Sequence, residues 1–196
     1  MSHYFTNDRV ESNEKIITVK INDEVFKFVV DNGVFSKKGL DFGTRTLLES
    51  INTNIINGDV LDFGCGYGPV GIYISKKTDS KVDMVDINER ALNLSLKNAK
   101  LNNVTVNVYK SDVFSNIIKT YDYIITNPPI RVGKKILYEI IFQSLAHLKK
   151  NGKLFLVINK NQGAKTLLKD LNEKYLANVI EKNKGFYVIE AQNRWH

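Results

Sequence analysis

Val60-Leu61-Asp62-Phe63-Gly64-Cys65-Gly66-Tyr67-Gly68-Pro69-Val70-Gly71 is the stretch whose reading decides the fold. Its opening residues form a mainly apolar run of strand type, and Pro69 suits the first position of a helix, where its missing N–H costs nothing. Between them, glycines at 64, 66 and 68 allow tight turning and let the backbone come close to a ligand. An ordinary strand-to-helix turn needs one glycine. Three alternating ones in this context point to a cofactor loop.

Outward from this loop the chain alternates short Val- and Ile-rich runs with segments of helical period. Candidate strands are 59–63, 81–86, 104–109, 121–126 and 153–158, and candidate helices are 69–76, 89–101, 134–150 and 164–175. Strand, helix, strand is the repeating order. It predicts βαβ units and an α/β fold, a mostly parallel sheet with helices on both faces. Residues 176–181 and 186–191 read as two strands joined by Asn183-Lys184-Gly185, so a C-terminal antiparallel hairpin is expected to close the sheet. Upstream, residues 16–30 alternate as two short strands around Asn22-Asp23. Residues 1–50 are therefore read as an N-terminal β-hairpin extension and 51–196 as the main domain.

At 196 residues, 43% hydrophobic and 25% charged, the chain has the size and composition of one globular unit, and neither disorder nor a membrane protein is indicated. No apolar run approaches the length of a membrane span, and residues 1–9 lack a signal peptide's apolar core, so a cytoplasmic location is expected. A lone Cys65 excludes an internal disulfide and a cysteine-based zinc site. It sits inside the glycine loop with no His near it in sequence, which leaves it a space-filling role. His147 lies in a helical segment, His3 and His196 near the ends, and no metal site is implied. The net charge of +7 and pI of about 9.3 favour encounter with polyanions, although the lysines are spread along the chain.

The acids after the loop bear on the cofactor. Gly66-Tyr67-Gly68-Pro69-Val70-Gly71 also fits the dinucleotide pattern, and Asp86, at the end of the next strand, would meet ribose hydroxyls in either case. Asp62 separates the two readings. Beside a dinucleotide's phosphates its charge would be unfavourable, whereas S-adenosylmethionine (SAM) carries an ammonium and a sulfonium that a carboxylate attracts. The order Asp62-x-Gly64-x-Gly66-x-Gly68 thus resembles the first motif of class I SAM-dependent methyltransferases, whose fold is Rossmann-like. By that resemblance Asp62, Gly64, Gly66, Gly68 and Asp86 hold the cofactor. Asp112 would accept from the adenine amine, with the Val113 backbone completing that contact. Read alone, Ser111-Asp112 is an ordinary helix cap.

The apolar run 121–126 ends in Asn127-Pro128-Pro129, placing two residues without N–H at the open end of a strand. An aromatic exocyclic amine is a poor nucleophile because its lone pair is conjugated into the ring. Two acceptors, the Asn127 side-chain oxygen and the Pro128 carbonyl, would hold both amine hydrogens and aim the nitrogen, which is orientation rather than proton abstraction. With the glycine loop and the acids at successive strand ends, the order resembles that of amine methyltransferases. In these the residue after the prolines is commonly aromatic and stacks on the base, whereas here it is Ile130. Stacking would then fall to Tyr187 or Phe186, or Ile130 would give apolar contact alone.

Gly33-Val34-Phe35-Ser36, Asp41-Phe42-Gly43-Thr44-Arg45, the run from Asn127 through Arg131 to Lys134, and Gly185-Phe186-Tyr187-Val188 narrow the likeness. Over roughly residues 30 to 190 the chain resembles the small-subunit ribosomal RNA guanine-N2 methyltransferases in their short, single-domain form. The longer bacterial members carry a further N-terminal domain that this chain does not contain. The resemblance implies methyl transfer from SAM to a guanine amine, with ribosomal RNA or the small ribosomal subunit as partner, and puts Thr44 near the methionine end of the cofactor. Arg131, Lys134, Lys135, Lys37 and Lys38 are candidate phosphate contacts, or equally solvated loop charges. Adenine in nucleic acid or a protein glutamine would suit the same amine chemistry. From another class, a non-catalytic SAM- or NAD-binding module fits the loop without Asn127.

Overall fold

The computed structural model describes residues 11–34, 39–129 and 132–194. In chain order the elements are β1 (Lys15–Ile21), β2 (Glu24–Val30), α1 (Phe42–Ser50), β3 (Asp59–Phe63), α2 (Pro69–Lys77), β4 (Lys81–Asp86) and α3 (Glu89–Leu101). They continue as β5 (Asn107–Lys110), β6 (Tyr121–Thr126), α4 (Gly133–Ala146), β7 (Leu148–Asn159), α5 (Ala164–Asn172), β8 (Tyr175–Asn183) and β9 (Phe186–Asn193). Seven strands form one sheet in the order β5-β4-β3-β6-β7-β9-β8. β5, β4, β3, β6 and β7 run parallel, while β9 is antiparallel to both β7 and β8. The mostly parallel sheet and the C-terminal antiparallel hairpin are those expected from the sequence.

Successive residues of the central strands supply opposite faces. Val60 and Ile125 join one core with Leu47, Ile72 and Phe155, whereas Leu61 and Ile124 join the other with Ile141, Leu154 and Leu167. Burial on both sides explains why these strands read as apolar runs instead of alternating ones. The order reverses between β3 and β6, because β4 and β5 lie to one side of β3 and all later strands to the other. In sheets of this kind ligands bind beyond the strand C-termini at that switch point. There Phe63 pairs with Thr126, and the Thr126 hydroxyl donates to the Phe63 carbonyl at 2.8 Å.

β1 and β2 form a separate antiparallel hairpin turning at Asn22, whose φ is 50°. Its open edge is closed by side chains. Asn98 accepts from Val29 N at 2.6 Å and donates to Val29 O at 2.9 Å; one helical turn on, Asn102 accepts from Lys27 N at 3.1 Å and donates to Lys27 O at 2.7 Å. Two amides at i and i+4 on α3 thus supply the bonds of a missing strand. Asn98 also donates to the Tyr67 carbonyl at 2.8 Å, tying hairpin to glycine loop.

Several boundaries differ from expectation, among them the start of β7 at Leu148 and the end of α5 at Asn172. Val104 does not enter β5, because its N–H closes the end of α3 onto the Ala99 carbonyl. α4 stops at Ala146 and not Lys150, because Tyr121 N takes the His147 carbonyl and Leu148 already pairs with Tyr121. The sequence reading contains no helix at 42–50, where α1 packs against β7 and β9. Among the described residues no helix is long and apolar enough to cross a membrane.

Candidate active site

The glycine loop crosses the C-terminal end of β3. Gly64 N and Cys65 N both donate to the Val85 carbonyl at 2.9 Å, so the loop leans on β4. Gly64 and Gly66 have φ of 70° and 57°, a region costly for side chains, and a Cβ at either would project into open space. Their bare backbone therefore faces an open crevice, not a packed neighbour. Asp86, at the end of β4, grips the loop from the side, accepting from Gly66 N and Asn88 N at 2.9 Å each. Each of its oxygens keeps further acceptor capacity.

Asp62 is 1% exposed and accepts from Gly71 N at 2.8 Å, which satisfies a free donor in the first turn of α2. Burial, with the charge of Asp86 adding to it, pushes its carboxyl up to about 7; the amide bond from Gly71 opposes this. Burial also raises the Asp86 carboxyl, against the bonds from Asn88 and Gly66. Two carboxyls that disfavour each other beneath an open loop suit a cationic ligand. They oppose a pyrophosphate.

Beyond β5, Ser111 N donates to the Asp86 carbonyl at 3.1 Å, which sets Asp112 and Val113 beside the same strand ends. Asp112 is exposed. Val113 has a φ of 50°, a strained value for a β-branched residue, held by the Ser111 hydroxyl donating to its carbonyl at 2.8 Å. No helix follows this turn.

Asn127 follows β6 directly. Its amide nitrogen donates to the Thr44 hydroxyl at 2.9 Å and to Asp41 Oδ2 at 3.2 Å. An ionised carboxylate only accepts, so the nitrogen must face Asp41, and the amide oxygen is turned the other way. No described residue donates to that oxygen or to the Pro128 carbonyl. Asp41 in turn caps α1, accepting from Thr44 N at 3.0 Å. Gly43 permits this crowding, for a Cβ there would stand 3.0 Å from Phe186 and 3.2 Å from Asp41. Phe186 and Phe42 lie together at 5.7 Å between ring centroids.

On the other side of the Asn127 turn, Pro128 and Pro129 line a cavity of about 260 Å³ together with Lys134, Tyr138, Ile158 and Gln162. Tyr138 donates to Asp170 at 2.6 Å, and Lys134 stands 5.0 Å over its ring. Tyr187 pairs with Ile158 in the sheet and lies under the Lys182 ammonium. Ile130, Arg131, Lys37 and Lys38 lie outside the described residues. Among the described residues no group of three or more His, Cys, Asp or Glu could hold a metal ion. Sequence reasoning missed Asp41 and Tyr138. Asp41 stood only within the stretch Asp41-Phe42-Gly43-Thr44-Arg45 with no role of its own, and Tyr138 within a helix read as core.

Residues 25–190 match the methyltransferase small domain family. The chain is 42% identical over 196 residues to Bacillus subtilis YbxB, an uncharacterised protein, covering 97% of this chain and 98% of that one. It is 39% identical over 166 residues to the ribosomal RNA small subunit methyltransferase C of Haemophilus influenzae, covering 82% of this chain and 49% of the relative. Among solved structures, the Thermus thermophilus 16S rRNA N2 G1207 methyltransferase, in complex with AdoMet and guanosine, superposes with a TM-score of 0.82 at 24% identity. That match covers 92% of this chain and 51% of the other. The chain thus spans about half the length of the ribosomal RNA methyltransferases it resembles.

Proposed function

Because the chain belongs to the methyltransferase small domain family, we propose that it is an enzyme transferring the methyl group of SAM to the exocyclic amine of guanine in ribosomal RNA. The observation that carries this reading is the Asn127 amide, whose nitrogen is taken by Asp41 and Thr44 and whose oxygen takes no donor among the described residues. When bound, SAM supplies a methyl group made electrophilic by its sulfonium. Gly64, Gly66 and Gly68 give it a bare backbone to lie on, Asp62 and Asp86 a negative field, with Asp86 at the ribose. Asp112 and the Val113 backbone would hold its adenine.

The chain's own part in the chemistry is to present the amine. Asn127 Oδ1 and the Pro128 carbonyl each take one amine hydrogen, turning the nitrogen lone pair out of the ring's conjugation and toward the methyl carbon. The new N–C bond would form as the donor's sulfur–methyl bond breaks, leaving S-adenosylhomocysteine, and the extra amine proton would pass to solvent; Asn127 Oδ1 and the Pro128 carbonyl orient the amine and take no proton. Their preorganisation supplies transition-state stabilisation that water would have to reorganise to give. Thr44 acts here as a positioning residue for Asn127. Tyr187, Ile130 and the cavity beside Pro129 receive the base, and Arg131 and Lys134 the adjoining phosphates. Residues 51–196 form the transferase domain, and the 1–50 extension lends it Asp41 and Thr44. The Haemophilus relative's name and the guanosine in the Thermus structure favour guanine in ribosomal RNA, and a cytoplasmic location goes with that reading. Adenine and glutamine amines are the competing acceptors.

The deciding experiment incubates the purified protein and labelled SAM with deproteinised small-subunit ribosomal RNA, intact subunits and a glutamine peptide, then separates the nucleosides by mass spectrometry. Label in N2-methylguanosine is expected. Label in adenine or in peptide alone would overturn the substrate assignment.

A pH dependence follows from Asp62. In the folded protein without ligand its carboxyl keeps a proton up to about pH 7, whereas the unfolded chain releases it near 3.8. The folded state therefore binds more protons between those values, and this contribution to stability is lost as pH rises through 7. A cationic cofactor favours the carboxylate. SAM affinity should accordingly rise between pH 6 and 8, with a proton released on binding. Calorimetry in buffers of different ionisation enthalpy reads both, and an unchanged affinity with no buffer dependence would contradict the assignment.

A further inference from the structure

We propose that the tip of the β8–β9 hairpin, with the turn after β7, is a phosphate-binding rim for RNA, formed by Lys160, Lys182 and Lys184. The inference rests on the RNA methyl transfer proposed above. The three lysines are exposed and brought together by the backbone: Lys160 N donates to the Gly185 carbonyl at 2.8 Å, and the Lys160 side chain runs along Gly185. Lys184 heads the turn with a φ of 44°, and its ammonium stands 5.2 Å over the Phe42 ring. Lys182 stands 5.0 Å over Tyr187.

What sets them apart is that they gather at one turn with no carboxylate partner. Lys77, Lys97, Lys110, Lys119, Lys149 and Lys153 each have a carboxylate within 4 Å. Among the described residues Lys160, Lys182 and Lys184 have none, and two of them rest on aromatic faces. The nearby Glu181 carboxylate is occupied by the Lys182 backbone N–H at 2.8 Å. A ring face steadies an ammonium without neutralising it and leaves its N–H groups for an anion. The rim is continuous with the site, since Phe42 follows Asp41, which bonds Asn127, and Phe42 also packs on Phe186. A nucleotide chain held along the hairpin tip would approach Asn127 by way of Phe42 and Asp41, and its row of phosphates fits a cluster of cations without carboxylate partners.

The test is K182E/K184E, with K165E/K169E on the exposed face of α5 as a charge-matched control and K182Q/K184Q as a milder form. A fluorescein-labelled oligoribonucleotide reads RNA affinity against salt, calorimetry reads SAM affinity, and ribosomal RNA serves as methyl acceptor. K182E/K184E should bind the oligonucleotide at least tenfold more weakly than wild type, and the salt slope should fall by about 1.4, at roughly 0.7 for each single-strand phosphate no longer neutralised. K182Q/K184Q should fall between, the α5 control near wild type, and SAM affinity should stay within twofold for all, which also shows that they fold. If wild type methylates RNA and the hairpin variants match its affinity and slope, the rim is wrong and the functional reading stands. If wild type transfers no methyl group to RNA, or the reversal disrupts only binding to an acidic protein, the rim falls too, in the first case together with the functional reading.

Discussion

Asn127→Ala should lower turnover by about two to three orders of magnitude, the usual cost of removing one preorganised transition-state contact. SAM affinity should stay within about twofold, because in the role proposed for it the side chain meets the acceptor amine and not the cofactor loop. Asn127→Asp is the sharper probe. It is nearly the same size, but its carboxylate would face Asp41 at the place where the amide nitrogen now donates at 3.2 Å, so it should turn away from Thr44. Asp86→Ala should do the reverse, weakening SAM at least tenfold before it affects turnover, since Asp86 also braces Gly66. Steady-state kinetics alongside calorimetry separates the two patterns. If Asn127→Ala lost cofactor affinity and turnover in parallel, the residue would belong to the cofactor site, and the amine mechanism would fail.

The second large effect is on stability. Asn98 is fully buried and satisfies Val29 N, Val29 O and the Tyr67 carbonyl at once. Asn98→Leu keeps the volume but leaves three backbone groups without that partner, the Tyr67 carbonyl buried and the Val29 N–H and carbonyl partly so. At about 1–3 kcal/mol for each unsatisfied group, and with incomplete additivity, the cost should be roughly 3–5 kcal/mol. For a chain of this length that lowers Tm by on the order of 10 °C. Hydrogen exchange should localise the damage to the Val29 amide and its β2 neighbours. Asn102, 8% exposed, has water closer at hand, and Asn102→Leu should cost less. A loss below about 1 kcal/mol in Asn98→Leu would show that the hairpin is held by its apolar face alone.

These two residues mark where the sequence was and was not legible. Strands β3, β4 and β6 could be read because both their faces are buried, and α2 because Pro69 and the glycines announce its start. α1 could not. Its nine residues, FGTRTLLES, include a glycine and two threonines, and it is helical because Asp41 caps it and Leu47 and Leu48 are buried against the sheet. That packing lies far away in sequence. The same distance hid the site's support: Asp41 and Asn127 are 86 positions apart, and nothing local says that a cap residue also orients an amide. Asn98 and Asn102 looked like the polar face of an amphipathic helix until β2 was placed against them. Lys160, Lys182 and Lys184 read as three more scattered lysines, because the turn that gathers them exists only once β9 pairs with β7.

The pairing of Phe63 with Thr126 has a consequence of a mechanical kind. The loop proposed for the donor and the turn proposed for the acceptor rise from adjacent parallel strands at the sheet's centre, where the backbone spacing is about 4.8 Å, and the Thr126 hydroxyl staples the two ends together. Donor-to-acceptor alignment is therefore inherited from the hydrogen-bonded centre of the sheet. Conditions that loosen the rim, such as salt, will starve the enzyme of substrate long before they detune the reaction itself.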